Sequence, residues 1–277
     1  MTRITELSSK YRNLEKMPVE EITANINQED QTVAQVIQKA LPQINTLVQA
    51  IASKLKNGGR LFYIGAGSGW RLSVLDIIEL PTTYGIDKGI VNVVLAGGIE
   101  RLTDALEEKE DDVNEGWVRL KESNISAADI VVGISASGTT PFVLSALKTC
   151  RTNGITTGCI VSNPSSPIAE QSDFPVEVVT GPEFITGSTR MKCGTAQKMI
   201  LDMISTTTMI RLGRVEDNSM VNVKLINDKI TDRAVRMLME KAGIKDYEEA
   251  KQVLLQHGSV KKAMNHMEEK MKSLRQQ

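Results

Sequence analysis

At 277 residues and a net charge of −1, the chain is long enough for one sizeable α/β domain plus an appendage, and its 33 basic and 34 acidic side chains offer nothing to a nucleic acid or other polyanion. No apolar run approaches the roughly 20 residues of a membrane span, and the polar opening MTRITELSSKYRNLEKM has no signal-peptide pattern. Cys150, Cys159 and Cys193 show neither metal nor redox spacing, which suits a reducing cytoplasm, and the two histidines, His257 and His266, both lie near the C-terminus, so a zinc site is not expected and acid–base work in the core falls to carboxylates or lysines.

Residues 19–56 read as helical, with interruptions near 27–30 and at Pro42. A regular alternation follows: RLFYIGAG (60–67), IVNVVLAGG (90–98), DIVVGISASG (129–138), GITTGCIVSNP (154–164) and FPVEVV (174–179). Each is a short apolar run bounded by Gly, Ser, Asn or Pro and followed by a segment of helical period. Strands alternating with helices predict a doubly wound α/β fold on a mostly parallel five-stranded sheet, with ligands outside the carboxyl ends of the strands near a topological switch. A further helical run spans Gly194 to Arg211. Beyond about residue 214, VEDNSMVNVKLINDKITDRAVRMLMEKAG is charged and helix-like, and the remainder reads as two short helices broken at Gly258. The expected organisation is a helical segment over 1–55, a ligand-binding α/β domain over 56–214 and a helical region over 215–277 that serves as a cap or dimerisation element.

Three loops carry candidate chemistry. In GAGSGWRL (65–72), crowded glycines let the backbone approach a ligand. The spacing is G-x-G-x-G-W, and no acidic residue ends VNVVLAGG, so a nicotinamide cofactor is not expected; no P-loop pattern is present either. In SASGTTP (135–141), Ser135, Ser137, Thr139 and Thr140 crowd before a helix, as a phosphate cradle or as a serine-rich cap with Pro141 in the first turn. In GPEFITGSTRMKCGTAQK (181–198), hydroxyls and two cations precede a helix, where an anion is held well.

The last of these runs resembles the signature of the N-acetylmuramic acid 6-phosphate etherases and of their relatives, the glucokinase regulatory proteins. LEKM (14–17), INQEDQTV (26–33), LDIIELPTTYG (75–85), LAGG and SASGTTP extend the likeness to the etherases over nearly the whole chain. The resemblance implies a sugar isomerase domain and a cytoplasmic homodimer that cleaves a phosphorylated amino sugar without metal or cofactor. It implies two glutamates as acid and base, Glu79 in LDIIELPTTYG and Glu110 in ALEEKEDD, with Glu107 matching the first acid of the latter motif. Between the apolar VLDII and LP, Glu79 is expected to be partly buried, as suits a general acid. Ser68, Gly69, Ser135, Ser137, Thr139, Thr140 and Ser188 fall on the segments expected to hold phosphate or sugar, and charge alone makes Arg190 or Lys192 the partner of the lactate carboxylate.

The first loop departs from the family's GAGTSGRLG: Ser68, Gly69 and Trp70 stand for Thr, Ser and Gly, while Cys193 replaces a small residue of the signature. These changes are expected to cluster at the sugar-binding edge; restoring serine at 69 with glycine at 70 is expected to raise phosphosugar affinity in an etherase by returning a hydroxyl, and to weaken the present ligand in a sensor or an enzyme for a different sugar. Two other readings use the same fold, a non-catalytic sugar-phosphate sensor and an aldose–ketose phosphosugar isomerase. Retention of both glutamates favours the etherase.

Overall fold

The structure is a computed structural model that describes residues 3–104 and 107–275 and, of residues 68, 70, 101, 107, 271, 274 and 275, the backbone alone. The five apolar runs become β1 (Leu61–Gly65), β2 (Val91–Leu95), β3 (Ile130–Ser135), β4 (Thr156–Val161) and β5 (Phe174–Glu177). All four pairings are parallel, in the order β2-β1-β3-β4-β5. Every residue of β1 and β3 is buried, the pattern of strands covered on both faces. The connecting helices are α2 (Ser68–Tyr84), α3 (Glu115–Glu122), α4 (Pro141–Thr152), α5 (Pro167–Glu170) and α6 (Lys192–Arg211), preceded by α1 (Val19–Lys56). Phe62, Ile64, Val131, Phe142, Val143 and Leu147 form the centre of one core cluster between the sheet and α4.

The interruptions expected in the first helix are absent: α1 runs for 38 residues with Pro42 inside it. An interior proline costs about 3 kcal/mol through its missing N–H and the clash of its ring with the preceding turn. Val33, Ile37, Ile44, Leu47, Val48 and Ile51 are all buried along one face, and at roughly 1.5–3 kcal/mol for each such side chain their burial outweighs that cost.

The chain divides into two compact units, Met1–Ile77 with Gly89–Thr208, and Ile78–Lys88 with Met209–Gln277. These differ from the divisions at 55/56 and 214/215. Segment 78–88 joins the second unit because Lys224 N–H donates to the Thr82 carbonyl at 3.1 Å and the Arg214 guanidinium to the Gly85 carbonyl at 3.2 Å. In that unit α7 (Asp228–Ala242), α8 (Tyr247–His257) and α9 (Val260–Arg275) enclose Val235, Leu238, Leu254 and Val260. The break at Gly258 is as expected, in the left-handed region at φ +76. The helix-like reading of 215–227 is not: this stretch is irregular. Val221, in a turn, and Val223 are both buried within it. Asn227 then starts α7 by accepting from Ile230 N–H at 2.9 Å.

Candidate functional site

The strand order reverses between β1 and β3, and a cavity of about 170 Å³ opens beyond their carboxyl ends, where doubly wound sheets bind ligands. Ala66, Gly67 and Gly69 line it from the end of β1 and the start of α2; Ser135, Ala136, Ser137 and Thr140 line it between β3 and α4. Glu110 reaches it from a short 3-10 turn, Glu107–Asp111.

The hydroxyls beside α4 form one connected group. Ser135 and Thr140 are hydrogen-bonded at 2.8 Å, and Ser135 Oγ accepts from Gly138 N–H at 3.1 Å. Ser137 Oγ accepts from Thr139 N–H at 3.2 Å and from the Thr139 hydroxyl at 3.1 Å. Gly138 has φ +71, and a Cβ there would lie 2.3 Å from Ser166 Oγ, so the turn admits only glycine. Hydroxyls and backbone N–H groups at the start of a 12-residue helix suit a phosphate dianion. Gly67 has φ +69 and stands beside the half-buried Glu110: a Cβ on it would lie 3.0 Å from Glu110 Oε1. The cavity thus brings these hydroxyls and a carboxylate together, an arrangement able to hold an anion beside a base.

Of the residues singled out in the sequence, Gly69, Ser135, Ser137, Thr140 and Glu110 meet in this cavity. Thr139 lines a second hollow of about 710 Å³ together with Arg3 and Asn163. Ser188 lies between Gly187 and Thr189, which do line the first cavity, but is not itself part of the lining; Arg190 is exposed and also outside it. The side chains of Ser68, Trp70 and Glu107 fall outside the described residues. Glu79, in the second unit, is exposed and not partly buried as expected. The buried acid of LDIIE is Asp76, whose Oδ1 accepts from the Ser205 hydroxyl at 2.7 Å. Burial pushes the Asp76 carboxyl up to about 6, against the opposing effect of the Ser205 hydrogen bond.

The signature also differs from its expected role. The N-terminus of α6 already holds an anion from the chain itself: Glu183, 1% exposed, accepts from the N–H groups of Lys192 and Cys193 at 2.9 Å each. Lys192 is not at the ligand cavity. Its ammonium is buried on Glu29 Oε2 at 2.7 Å, while Glu29 Oε1 meets Lys10 at 2.6 Å and the Tyr11 hydroxyl at 2.9 Å. Burial pushes the Glu29 carboxyl up, but hydrogen bonds from Lys10, Lys192 and Tyr11 outweigh it and hold the group down at about 2. Cys193, too, is away from the sugar-binding edge, buried against the Thr180 hydroxyl at 3.2 Å, and burial pushes its thiol up to about 11.

Glu6, Thr189 and Gln197 line the cavity and were not singled out as site residues. Thr189 and Gln197 lie within the quoted signature, but Glu6 arrives by tertiary contact and carries no local signal. Gln197 bears on the expectation for residue 69. A Cβ on Gly69 would lie 2.5 Å from Gln197 Oε1 and 3.0 Å from Ile134 Cγ2, so a restored serine meets an amide already in its place.

Comparison with known proteins accords with this geometry. Residues 43–151 match the model of the glucokinase regulatory protein N-terminal SIS domain, and residues 119–206 match that of the SIS domain. Among solved structures, a phosphoheptose isomerase from Francisella tularensis superposes with a TM-score of 0.53 at 15% identity, covering 72% of this chain and 100% of that one. A phosphoheptose isomerase from Neisseria gonorrhoeae gives 0.50 at 16% identity, covering 68% and 97%. These two show the fold. In sequence, the N-acetylmuramic acid 6-phosphate etherase of Bacteroides thetaiotaomicron is 53% identical over 95% of this chain and 94% of its own length. That of Christiangramia forsetii is 52% identical over 94% and 95%, and that of Porphyromonas gingivalis ATCC 33277 is 49% identical over 97% of each. With about half of its residues shared from end to end, the chain belongs to the N-acetylmuramic acid 6-phosphate etherase family.

Proposed function

We propose that the cavity between β1 and β3 holds the phosphosugar, that Glu110 is the base of the etherase reaction, and that Glu79 is its acid. Family membership makes the chain an enzyme, a carbon–oxygen lyase that cleaves the lactyl ether of N-acetylmuramic acid 6-phosphate. The observation that carries the site assignment is the Glu110 carboxylate beside Gly67, in the same cavity as Ser135, Ser137 and Thr140.

The ether at sugar carbon 3 is unactivated in the closed ring. Opening the ring exposes an aldehyde at carbon 1 and acidifies the proton on carbon 2. Glu110 takes that proton; the electron pair forms a double bond between carbons 2 and 3, and the carbon–oxygen bond to lactate breaks. Glu79 protonates the departing lactate oxygen and then takes a proton from water as it adds to carbon 3, while Glu110 returns its proton to carbon 2, so both carboxyl groups regain their starting states. The products are N-acetylglucosamine 6-phosphate and D-lactate, with no change of oxidation state and no electron acceptor. The assignment of Glu79 rests on the motif LDIIELPTTYG alone. The working form in this reading is a cytoplasmic homodimer serving amino-sugar catabolism and cell-wall recycling. Three buried free cysteines support the reducing compartment, and the family likeness supports the dimer.

The test is lactate release from the phosphorylated sugar beside the unphosphorylated one. Glu110→Gln and Glu79→Gln should each slow release by about 100- to 10,000-fold, the usual worth of a positioned acid or base, while binding N-acetylglucosamine 6-phosphate nearly as wild type does. A variant that keeps more than a tenth of the rate loses its assigned role.

A further inference from the structure

We infer that Glu6 is a substrate-contacting residue, which accepts a hydrogen bond from the sugar and sets the direction in which the sugar lies in the cavity. The inference rests on the phosphosugar reading of that cavity and extends it to a segment lying 104 positions before Glu110 in the chain. Glu6 ends a short 3-10 turn, Ile4–Glu6, and lines the cavity, where Glu110 is the other carboxylate among the described residues. Its Oε2 lies 3.6 Å from where a Cβ on Gly187 would stand, so the carboxylate faces the signature loop as well.

The turn is held on both sides of Glu6. On one side Thr5 is fully buried, and Asn163 ties it down: Asn163 Oδ1 accepts from the N–H groups of Ile4 at 2.6 Å and Thr5 at 3.3 Å. The same amide donates to Thr5 Oγ1 at 3.0 Å and to the carbonyls of Ala136 and Ser137, each at 3.1 Å. One side chain therefore fixes the N-terminal turn to the phosphate cradle. On the other side Ser9 N–H donates to Thr186 Oγ1 at 2.9 Å, and the Ser9 hydroxyl donates to the Phe184 carbonyl at 2.7 Å. Between these anchors the position of Glu6 is set in advance, which lowers the ordering cost of any bond it makes to a ligand.

The chemistry of the ligand end follows from charge. A carboxylate accepts hydrogen bonds and repels anions. The phosphate and the lactyl carboxylate are therefore excluded from the space beside Glu6, and a hydroxyl or amide N–H of the sugar is admitted. With the phosphate held by Ser135, Ser137 and Thr140, an acceptor at the other wall allows one orientation of the sugar and opposes its reverse.

The test uses the intact chain and two probes, inorganic phosphate and N-acetylglucosamine 6-phosphate, titrated calorimetrically, with kinetics alongside. Glu6→Ala should weaken the phosphosugar by roughly 10- to 100-fold, the loss of one charge-assisted hydrogen bond, and leave inorganic phosphate within about twofold. Glu6→Gln, which keeps an acceptor of the same shape, should recover part of that loss. In kinetics the change should fall on KM, with kcat reduced less than about tenfold, below the usual worth of an acid or base. Glu6 is exposed, so both variants should melt with wild type. Phosphosugar binding within twofold of wild type, equal weakening of phosphate and phosphosugar, or a loss confined to kcat would each overturn the inference. Both probes bind without turnover, so a wild type that releases no lactate would remove the etherase reading and leave this comparison intact.

Discussion

The N-termini of α4 and α6 are built from similar residues and do opposite things. Each follows a loop of glycine and hydroxyl residues, and each presents backbone N–H groups. At α4 the hydroxyls of Ser135, Ser137 and Thr140 bond to one another and to their own loop and line a cavity. At α6 the N–H groups of Lys192 and Cys193 are already taken by Glu183, and the Lys192 ammonium that opens the helix is taken by Glu29. A helix N-terminus favours an anion, but whether that anion is a ligand or a side chain is decided by what the rest of the chain brings to it. Here the longest stretch of family signature serves mainly to lock α6 and the N-terminal segment into the first unit, and the shorter serine loop opens onto the cavity.

Breaking the α6 side should have the largest effect on stability. Lys192→Ala leaves Glu29, 5% exposed, without one of its two ammonium partners; removing one member of a buried pair typically costs about 3–5 kcal/mol. Thermal or urea unfolding should show that loss, while inorganic phosphate binds as before. The pH dependence sharpens the assignment. The folded carboxyl of Glu29, at about 2, lies below its ordinary value of 4.5. Its contribution is therefore complete above about 4.5 and is lost as pH falls from there towards 2. Lys192→Ala should flatten that acid limb, leaving the part due to Lys10 and Tyr11. A variant with wild-type stability and no phosphosugar binding would return Lys192 to the ligand and collapse the comparison.

The α4 side should respond in binding. Ser137→Ala is expected to weaken both inorganic phosphate and phosphosugar by about 1–3 kcal/mol, with little change in unfolding, since its hydroxyl bonds only within its own loop. Unphosphorylated sugar should bind no worse than to wild type. Equal losses with and without the phosphate would make the loop a cap and nothing more.

These contrasts mark what the sequence made legible. The five strands were readable because buried parallel strands are continuous apolar runs, and the meeting of Ser135, Ser137 and Thr140 at one cavity was readable because they are within six residues of one another. Pro42 misled because a proline is a local signal, and the buried face of α1 overrides it only once the sheet is in place. Lys192 misled for a similar reason: its partner Glu29 lies 163 residues away, and no spacing rule pairs them. Glu79 was expected to be partly buried from its apolar neighbours, yet on α2 the apolar contact falls to Leu80 and the buried charge to Asp76. Glu6 was invisible because Asn163, 158 residues from Thr5, is what carries it to the cavity.

The smallest expected effect tests how far the signature reaches into the site. Gln197 is the residue through which α6 lines the cavity, and its amide oxygen stands where a side chain at 69 would begin. Gly69→Ser therefore adds a hydroxyl and a clash together. Gln197 is flexible at its end, but Ile134 Cγ2, 3.0 Å from the new Cβ, belongs to the packed end of β3. Overpacking of this kind typically costs about 1–3 kcal/mol, and the mobile amide places this case near the lower bound. Thermal unfolding should show a loss of about 1 kcal/mol for Gly69→Ser alone, and calorimetric titration with N-acetylglucosamine 6-phosphate should show no gain in binding. Adding Gln197→Asn draws the amide back by one methylene and should return most of that loss. If Gly69→Ser by itself bound more tightly than wild type, the added hydroxyl would be reaching the sugar past Gln197, and the amide would have no part in shaping this wall of the cavity.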